Sequence, residues 1–496
     1  MPQLSAGDTA WVLASAALVL LMTPGLALFY GGMVRAKGVL NMLMMNFAAI
    51  GVVSILWVLY GYSLAFSKDV GGGLIGGLGD FGLEGLIGEK SLSGTIPTTV
   101  FVAFQAMFAI ITVALISGAI ADRTKFSAWI VFIVAWATIV YFPVAHWVFF
   151  FDDGNGGWIA DKIKALDFAG GTAVHINAGA AGLALALVLG RRVGWRRDPM
   201  RPHNLPLVLL GAGLLWFGWF GFNAGSALSA NGTAGVAFIN TQVATAAGLL
   251  AWILVEKIRD GKPTTLGAAS GAVAGLVAIT PACASVTPLG AILVGLAAGV
   301  LCALAVGLKT KFGFDDSLDV VGVHLVGGLV GTLIIGFLAS AAAPAGVNGL
   351  FYGGGFDQLW RQTVAAAAVL AYSFVLTYVI GKVIDKTMGF RISEDDEVSG
   401  IDLTEHAETA YDFSTIGGGS RTHGLARGTA VRPEHGARVA ASHEPAPRSA
   451  SDPTSESASE PTSESGPEPG PGEPGQGPED GPAAAPAEEK EGSWTR

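Results

Sequence analysis

The sequence predicts an all-α integral membrane protein that crosses the bilayer eleven times. Of its 496 residues, 51% are hydrophobic and only 14% are charged, whereas an ordinary soluble domain carries about 25% charged residues. Uncharged runs such as Trp11 to Val34 and Val39 to Ser67 are long enough to cross about 30 Å of hydrocarbon as a helix. Many of the 70 glycines lie inside the apolar runs, as expected where membrane helices pack closely.

Hydropathy divides the chain into eleven predicted helices, with Gly, Pro and charged residues as boundaries. These helices are 10–32, 39–66, 97–120, 126–150, 169–190, 204–227, 237–257, 264–284, 288–308, 319–340 and 360–384. The connections after the odd-numbered helices are basic, whereas the even-numbered connections are mainly acidic and hold Asp69, Asp80, Glu84, Asp152, Asp153 and Asp161. Because basic loops remain in the cytoplasm, we expect the N-terminus outside and the C-terminus inside.

Two predicted helices carry a histidine within the membrane, and each histidine follows a carboxylate. His175 follows Asp167 in the fifth helix, and His324 follows Asp319 in the tenth. At about 1.5 Å of rise per residue, both rings lie well inside the bilayer, entered from opposite sides. The pattern predicts an inverted repeat of helices one to five and six to ten, with the eleventh helix added.

An ionisable group within the membrane is costly and therefore indicates a function. A neutral imidazole offers one donor and one acceptor, which suits a small polar solute. Two unrelated histidines with separate local partners are the alternative, but matched positions in two halves favour a shared site. No carboxylate or cysteine shares the depth of His175 and His324 on these helices, so we predict neither a metal nor a cofactor.

Aromatic residues recur on single helix faces. Phe104 and Phe108 are four residues apart in the third helix, and Trp219, Phe222 and Ser226 share one face of the sixth. Rings beside a hydroxyl suit a small cation, although packing or lipid contact is the simpler explanation of the spacing alone. Two other histidines receive simpler interpretations: His146 as an interfacial residue and His203 as a solvated one. Asp167 suits the N-cap of the fifth helix.

Four strings carry a resemblance to a known family: Thr23 to Arg35, Asp167 to Asn177, Trp219 to Ser226 and Asp385 to Arg391. In these strings, and from about residue 8 to 413, the chain resembles the ammonium transporter (Amt/Mep/Rh) family. The resemblance implies a homotrimer of the plasma membrane that conducts ammonium or ammonia and is not an enzyme. Membrane lipid is then its surroundings, and nucleic acid is not a partner.

The same resemblance assigns a role to individual residues. Phe108 and Phe222 resemble a stacked gate, His175 and His324 a pair lining the pore, and Thr280 a position further along it. The predicted recruitment site for the cation comprises Phe149, Ser226, Phe108 and Trp219, supported structurally by Asp167. Phe149 stands where the family often has Trp, in the string Ala145 to Phe149.

The end of the chain predicts two further regions after a transporter domain of residues 1–388. Residues 389–415 are expected to form a cytoplasmic regulatory segment, and the resemblance at Ile401 to Tyr411 implies a PII-type signalling protein as a candidate partner. Residues 416–496 are rich in Pro, Gly, Ser and Glu and lack the apolar bulk that offsets the entropy of ordering. We predict that this tail is disordered.

Three other functions share some of these features. A gas channel of the Rh-like kind shares the fold and differs in lacking an ammonium-dependent current. A sensor that binds ammonium shares the pore and differs in lacking useful flux. A membrane enzyme using the two histidines needs a nucleophile or a metal set that the sequence does not show.

Overall fold

A computed structural model describes residues 3–88 and 90–411, and the regular structure in this part of the chain is almost entirely helical. Ten helices are long and apolar enough to cross a membrane: α1 Ala6–Met33, α2 Ala36–Phe66, α3 Thr98–Ile120, α4 Phe126–Phe149, α5 Gly171–Leu189, α6 Leu205–Gly225, α7 Gly232–Asp260, α9 Pro288–Phe312, α10 Val321–Leu338 and α11 Asp357–Met388. The shorter apolar helix α8, Thr265–Ile279, has 15 residues, about 22 Å at 1.5 Å per residue. All eleven coincide with predicted helices. The predicted tail, residues 416–496, lies outside the described residues.

The remaining elements are short. Strands β1 Leu92–Ser93 and β2 Ile96–Pro97 pair in an antiparallel hairpin before α3. Short helical turns occur at Phe81–Leu83, Trp158–Ile163 and Leu350–Tyr352. After α11 the chain forms α12 Glu394–Ser399 and α13 Ile401–His406. These elements lie at the two ends of the helical bundle.

Side-chain caps explain where several helices begin. The Asn204 and Asn231 side chains accept backbone N–H groups at the starts of α6 and α7, from Leu207 at 2.9 Å and Ala234 at 3.1 Å. Thr264 does the same for α8. Each cap satisfies a donor that the first helical turn leaves without a partner, so polar residues between apolar runs fix the helix boundaries.

Helices α1 and α6, the first helices of the two predicted halves, approach each other very closely. A Cβ added to Gly211 would lie 2.3 Å from the backbone nitrogen of Phe29, and one added to Gly25 would lie 3.0 Å from the Cβ of Leu214. Only glycine permits such contacts. The two helices also line one cavity together, through Met22 and Leu26 of α1 and Leu215, Trp219 and Phe222 of α6.

Four of the apolar helices contain a π-helical turn: Trp57–Gly61 in α2, Ala137–Tyr141 in α4, Gly171–Ile176 in α5 and Val321–Leu325 in α10. A π turn holds one residue more than an α-helical turn and is frequent at functional sites. His175 lies in the turn of α5, and His324 lies in that of α10. The two histidines therefore occupy the same kind of local structure.

The carboxylate that begins α10 is not the predicted one. Asp167 caps α5 by accepting N–H groups from Gly170 at 2.8 Å and Gly171 at 2.7 Å. The equivalent cap of α10 is Asp316, which accepts from Val320 at 3.1 Å and Val321 at 2.7 Å. Asp319 instead has a φ of +63° and pairs with Lys309. The pairing of Asp319 with Asp167 was therefore wrong, because each true cap precedes its histidine by eight residues.

At the end of the bundle with the basic loops, residues 389–411 pack onto the helices through carboxylates. Asp402 accepts N–H groups of Leu40 at 3.0 Å and Asn41 at 2.8 Å near the start of α2. Glu405 accepts the N–H of Phe126 at 2.9 Å, at the start of α4. Negative side chains are stabilised at helix N-termini, so this segment is fastened to two helix starts.

Candidate functional site

A wide cavity of about 730 Å³ opens at the end of the bundle opposite the basic loops. Three of the four predicted recruitment residues, Phe108, Phe149 and Ser226, line it, as does Asp167. Six of its other lining residues are aromatic, and two are charged, Asp161 and Lys164; the aromatic ones are Tyr62, Phe66, Phe101, Phe150, Phe151 and Phe168. Aromatic faces and a few polar groups suit a small cation.

Ser226 ends α6 at the edge of the wide cavity. Its hydroxyl donates to the carbonyl oxygen of Phe222 at 2.8 Å, so the hydroxyl proton is already engaged. The oxygen lone pairs remain free to accept a hydrogen bond. The Ser226 hydroxyl oxygen can therefore accept a hydrogen bond from an N–H donor in the wide cavity.

The inner end of the wide cavity is closed by two phenyl rings. Phe108 of α3 and Phe222 of α6 have ring centroids 4.3 Å apart at an interplanar angle of 32°. Phe104 packs edge-on against Phe108, with centroids 5.0 Å apart. Both rings of the pair are buried. They separate the wide cavity, lined by Phe108, from a second cavity lined by Phe222.

The second cavity is narrow, about 10 Å³, and contains the two histidines. Its other lining residues are Met22, Leu26, Ile111, Leu115, Val174, Leu215, Trp219, Phe222 and Val273. Such a volume is about that needed by one water-sized molecule. Apart from the two imidazoles and the indole of Trp219, the lining side chains are apolar, so a solute there meets few hydrogen-bonding groups.

His175 and His324 are brought together as the sequence predicts. Their Nδ1 atoms lie 3.3 Å apart, and their rings stack with centroids 5.4 Å apart at 18°. One Nδ1 must donate while the other accepts. The Nε2 atom of His175 is buried and has no hydrogen-bond partner among the described residues. This nitrogen can therefore hydrogen-bond to a molecule inside the narrow cavity.

Trp219 does not lie in the wide cavity, where the predicted recruitment site places it. Trp219 is buried and stacks on His175, with centroids 5.4 Å apart at 19°. It lines the narrow cavity, not the wide one, so its expected place in the recruitment site was wrong. Its Nε1 donates to Thr280 Oγ1 at 2.8 Å. Thr280 thus holds the indole in place and is absent from the lining of the narrow cavity.

Asp167 lines the wide cavity, and its carboxylate accepts hydrogen bonds from the first turn of α5. Besides the N–H groups of Gly170 and Gly171, it accepts the N–H and the hydroxyl of Thr172. Burial raises the pKa of the Asp167 carboxyl above its ordinary value, although the hydrogen bonds from Thr172 and the glycines oppose that shift. Its observed contacts are those of a helix cap.

The sequence interpretation missed three groups. Asp316 was overlooked, although its spacing of eight residues from His324 repeats that of Asp167 and His175. His146 was expected at an interface but is fully buried against Asp69. His203 was expected in solvent but bonds to the carbonyl oxygen of Val34 and the hydroxyl of Tyr411. The partners of both histidines lie far away in sequence, so local composition held no signal for them.

Comparison with known proteins decides the family. The family model described as Ammonium Transporter Family matches residues 10–411. The chain belongs to the ammonium transporter family. Within the family, the chain is 63% identical to a Mycobacterium tuberculosis (strain H37Rv) protein named ammonium transporter over 437 residues, which cover 83% of this chain and 91% of the relative. It is 51% identical to the Bacillus subtilis (strain 168) ammonium transporter over 411 residues, covering 82% and 99%.

Solved structures agree with the family. The crystal structure of Saccharomyces cerevisiae Mep2 matches with a TM-score of 0.74 at 35% identity, covering 79% of this chain and 89% of that one. A structure titled Sensor Amt Protein matches with a TM-score of 0.74 at 28% identity, covering 81% and 98%. Together with the apolar helices, these matches identify a multi-pass protein of the plasma membrane.

Proposed function

We propose that this family member transports ammonium across the plasma membrane, through the wide cavity, the phenyl pair and the histidine pair in that order. The observation that carries the proposal is the buried histidine pair. Its rings lie inward of Phe108 and Phe222, and one Nε2 has no partner among the described residues. Homologues named ammonium transporters support the choice of solute.

The proposed route separates ammonium into ammonia and a proton. In the wide cavity, aromatic faces and the Ser226 lone pairs offset part of the lost hydration of ammonium. An ion cannot enter the narrow apolar cavity without a large desolvation cost. The proton is therefore given up near the gate formed by Phe108 and Phe222 and is relayed across the protein separately from ammonia, so that net charge still crosses the membrane. Ammonia then passes the histidines, which offer both a donor and an acceptor.

In this proposal Phe149, Ser226 and Phe108 recruit the cation, and Asp167 supports their site by fixing the start of α5. Trp219 belongs instead to the inner part of the route, where the resemblance also places Thr280. The indole covers one face of His175, and Thr280 holds the indole through its Nε1. The stacked indole limits how far the His175 ring can tilt.

We further propose eleven spans, counting α8, with the N-terminus outside and the C-terminus inside. The basic loops support this orientation through the positive-inside rule. The caps of α5 and α10 lie at opposite ends of the bundle, which supports an inverted repeat of α1–α5 and α6–α10. In this orientation the wide cavity opens to the outside of the cell.

The assembly and the domain boundaries are also proposals. We propose a homotrimer with one route per subunit, a transporter domain of residues 1–388 and a regulatory segment of residues 389–415. The packing of residues 389–411 on the starts of α2 and α4 supports a regulatory role, because a partner that moves this segment would pull on both helices. A PII-type protein is the candidate partner at that face.

The experiment is ammonium-dependent current on the purified protein in liposomes, combined with growth rescue of a transport-deficient strain on low ammonium. Current and rescue are both expected. Uptake without current would favour a gas channel, since neutral ammonia carries no charge. The neighbour titled Sensor Amt Protein makes a sensor the second candidate, and ammonium binding without flux or rescue would select it.

A further inference from the structure

The two helices that carry the histidine pair, α5 and α10, cross each other beside the pair. Gly179 lies four residues after His175, and a Cβ added to it would lie 2.4 Å from the backbone nitrogen of Leu325 in α10. Gly328 lies four residues after His324, and a Cβ added there would lie 3.1 Å from the Cβ of His175. A single crossing point does not fix the angle between two helices. The meeting of the two imidazoles therefore also depends on how the ends of α5 and α10 are held.

At the end of the bundle with the basic loops, a buried ion pair joins the end of α5 to the start of α10. Arg192 follows α5 by three residues, and Asp315 immediately precedes Asp316, the cap of α10. The Asp315 carboxylate accepts the backbone N–H of Arg192 at 2.8 Å, and its Nε and Nη2 at 2.9 Å each. A planar guanidinium that binds both carboxylate oxygens fixes their direction as well as their distance. We call the pair of Arg192 and Asp315 the ionic clamp.

The carboxyl of the ionic clamp is held in its ionised form. Burial raises the pKa of Asp315, but the hydrogen bonds from Arg192 and the charge of Arg123 outweigh burial and hold the pKa below its ordinary value. Arg123 also donates to the backbone carbonyl oxygen of Asp315 at 2.6 Å. Separating a buried ion pair would leave an uncompensated charge, so the loop before α10 is held firmly against the end of α5.

At the opposite end of the bundle, one neutral side chain of α11 joins the start of α5 to the second half of α10. Gln362 is fully buried, and its Oε1 accepts the N–H of Leu166 at 2.7 Å. Its Nε2 donates to the carbonyl oxygens of Leu166 at 2.7 Å and Thr332 at 3.1 Å. Leu166 immediately precedes Asp167, the cap of α5, just as Asp315 immediately precedes the cap of α10. We call the contacts of Gln362 with Leu166 and Thr332 the amide clamp.

We infer that Arg192 and Gln362 are positioning residues for the histidine pair, because the ionic clamp and the amide clamp hold both ends of α5 and α10. The inference rests on the proposed function, since it concerns the imidazoles that ammonia passes. The lining of the narrow cavity includes neither Arg192 nor Gln362. Both residues therefore act on the pair through the helices and not by contact with the solute.

Loss of a clamp allows α5 and α10 to rotate about their crossing. The Nδ1 atoms of His175 and His324 are 3.3 Å apart, at the long end of hydrogen-bond distances, so a small rotation separates them. The ionic clamp lies at the end of the bundle opposite the wide cavity. Its loss should therefore lower the maximal rate of transport and leave the half-saturation concentration of ammonium unchanged. We expect the maximal rate to fall by about twofold to thirtyfold, the typical range for coupling between packed groups.

The first test compares Arg192→Lys with Arg197→Lys by ammonium current in liposomes. Lysine keeps the charge beside Asp315 but lacks the planar fork, so the buried carboxylate remains paired and the protein should fold. Arg192→Lys should lower the maximal current and retain the wild-type half-saturation. Arg197 is an exposed arginine of the same loop, and Arg197→Lys is the matched control with wild-type current. Equal maximal currents in the two variants would overturn the role of the ionic clamp.

The second test reads the histidine pair directly, by ¹⁵N NMR of the full chain labelled at histidine. Arg192→Lys and Gln362→Met should each shift the ring signals of His175 and His324, because the hydrogen bond between their Nδ1 atoms is weakened. The signal of His146, which lies on α4, should stay in place. A general loss of stability would not select the two paired rings. Unchanged signals of His175 and His324 in both clamp variants would overturn the inference.

The matched control for Gln362→Met is Gln242→Met, which replaces an exposed glutamine of α7 and should leave all histidine signals unchanged. If Gln362→Met fails to fold, Gln362→Asn takes its place, since it keeps the amide but is too short to reach both helices. Shifted signals of the pair in Gln242→Met as well would show that the effect is not specific to the amide clamp. Absence of any ammonium current in the wild type would refute the proposed function, while the NMR signals would still decide whether the clamps position the pair.

Discussion

At the scale of single residues, the two histidines of the narrow cavity depend on each other because their Nδ1 atoms share one hydrogen bond. Replacing either with leucine removes a polar group from the narrow cavity and leaves the other ring with an unmet group. We expect ammonium flux to fall by about tenfold or more and stability to fall by about 1–3 kcal/mol, the cost of a buried unsatisfied group. Flux in liposomes and thermal unfolding measure the two effects.

The control for that prediction is His203→Leu. It removes a histidine that hydrogen-bonds to the carbonyl oxygen of Val34 at the end of the bundle with the basic loops. It should leave flux near the wild-type value. Normal flux and normal selectivity in both His175→Leu and His324→Leu would contradict the proposed role of the pair.

Phe149 offers a second test at this scale, because it stands where the family often has Trp. Trp presents the stronger cation–π surface, worth at most about 1 kcal/mol more. We expect Phe149→Trp to lower the half-saturation concentration of ammonium uptake several-fold and Ser226→Ala to raise it. Phe150→Trp is the matched control and should give no gain, since one face of that ring packs on His146. Equal half-saturation in Phe149→Trp and Phe149→Ala would remove Phe149 from the recruitment site.

At the scale of helices, the contact of α1 with α6 depends on the absence of a Cβ at Gly211. A methyl group there would lie 2.3 Å from the Phe29 backbone nitrogen, whereas one at Gly213, two residues on, meets nothing within 4 Å. We expect Gly211→Ala to destabilise the protein by about 1–3 kcal/mol through overpacking. Gly213→Ala should be neutral or slightly stabilising. Thermal unfolding in detergent compares the two, and equal melting temperatures would contradict the packing argument.

Much of this level of structure was predictable, because long uncharged runs can be satisfied in a bilayer only as helices. The positions of His175 and His324 followed from those runs. The π turns did not, since apolar composition does not distinguish hydrogen bonds between residues five apart from those between residues four apart. The cap of α10 was missed for a different reason. One short loop holds three aspartates, Asp315, Asp316 and Asp319, and only the course of the backbone shows which of them caps the helix.

The structure places only some of the predicted recruitment residues in one cavity, for a reason that concerns geometry. Trp219, Phe222 and Ser226 share one face of α6, which suggested one common environment. That face passes the packed rings of Phe108 and Phe222, however, so Ser226 faces the wide cavity while Trp219 faces the narrow one. Residues seven apart on a helix are separated by about 10 Å along its axis, which is enough to place them on opposite sides of a constriction.

At the scale of the whole molecule, the segment after α11 is fastened to the bundle by several carboxylates. Glu397 accepts the N–H of Val193 at 2.7 Å and pairs with Arg391 at 2.6 Å. We expect truncation after residue 415 to leave transport and its regulation nearly intact. Truncation before Met388 should impair both, because it removes these contacts and the helix caps at Leu40 and Phe126. Uptake by both truncated proteins in liposomes measures the difference.

A matched control for the truncations is the double variant Asp402→Asn with Glu405→Gln, which keeps the chain length but weakens two caps. It should reproduce part of the loss. If the protein lacking residues 416–496 failed to transport, the acidic tail would have a role that the described residues do not reveal.

The π turns that carry His175 and His324 have a consequence for how this chain can vary in length. Each turn behaves as a one-residue insertion absorbed by an otherwise regular helix. Deleting one residue within Gly171–Ile176 would restore the regular helix but turn everything on one side by about 100°, carrying the imidazole away from its partner. At these two π turns the protein should therefore tolerate substitutions but not deletions. A library of single-residue deletions, selected by growth on low ammonium, would show a gap at these two turns and survivors in the surrounding loops.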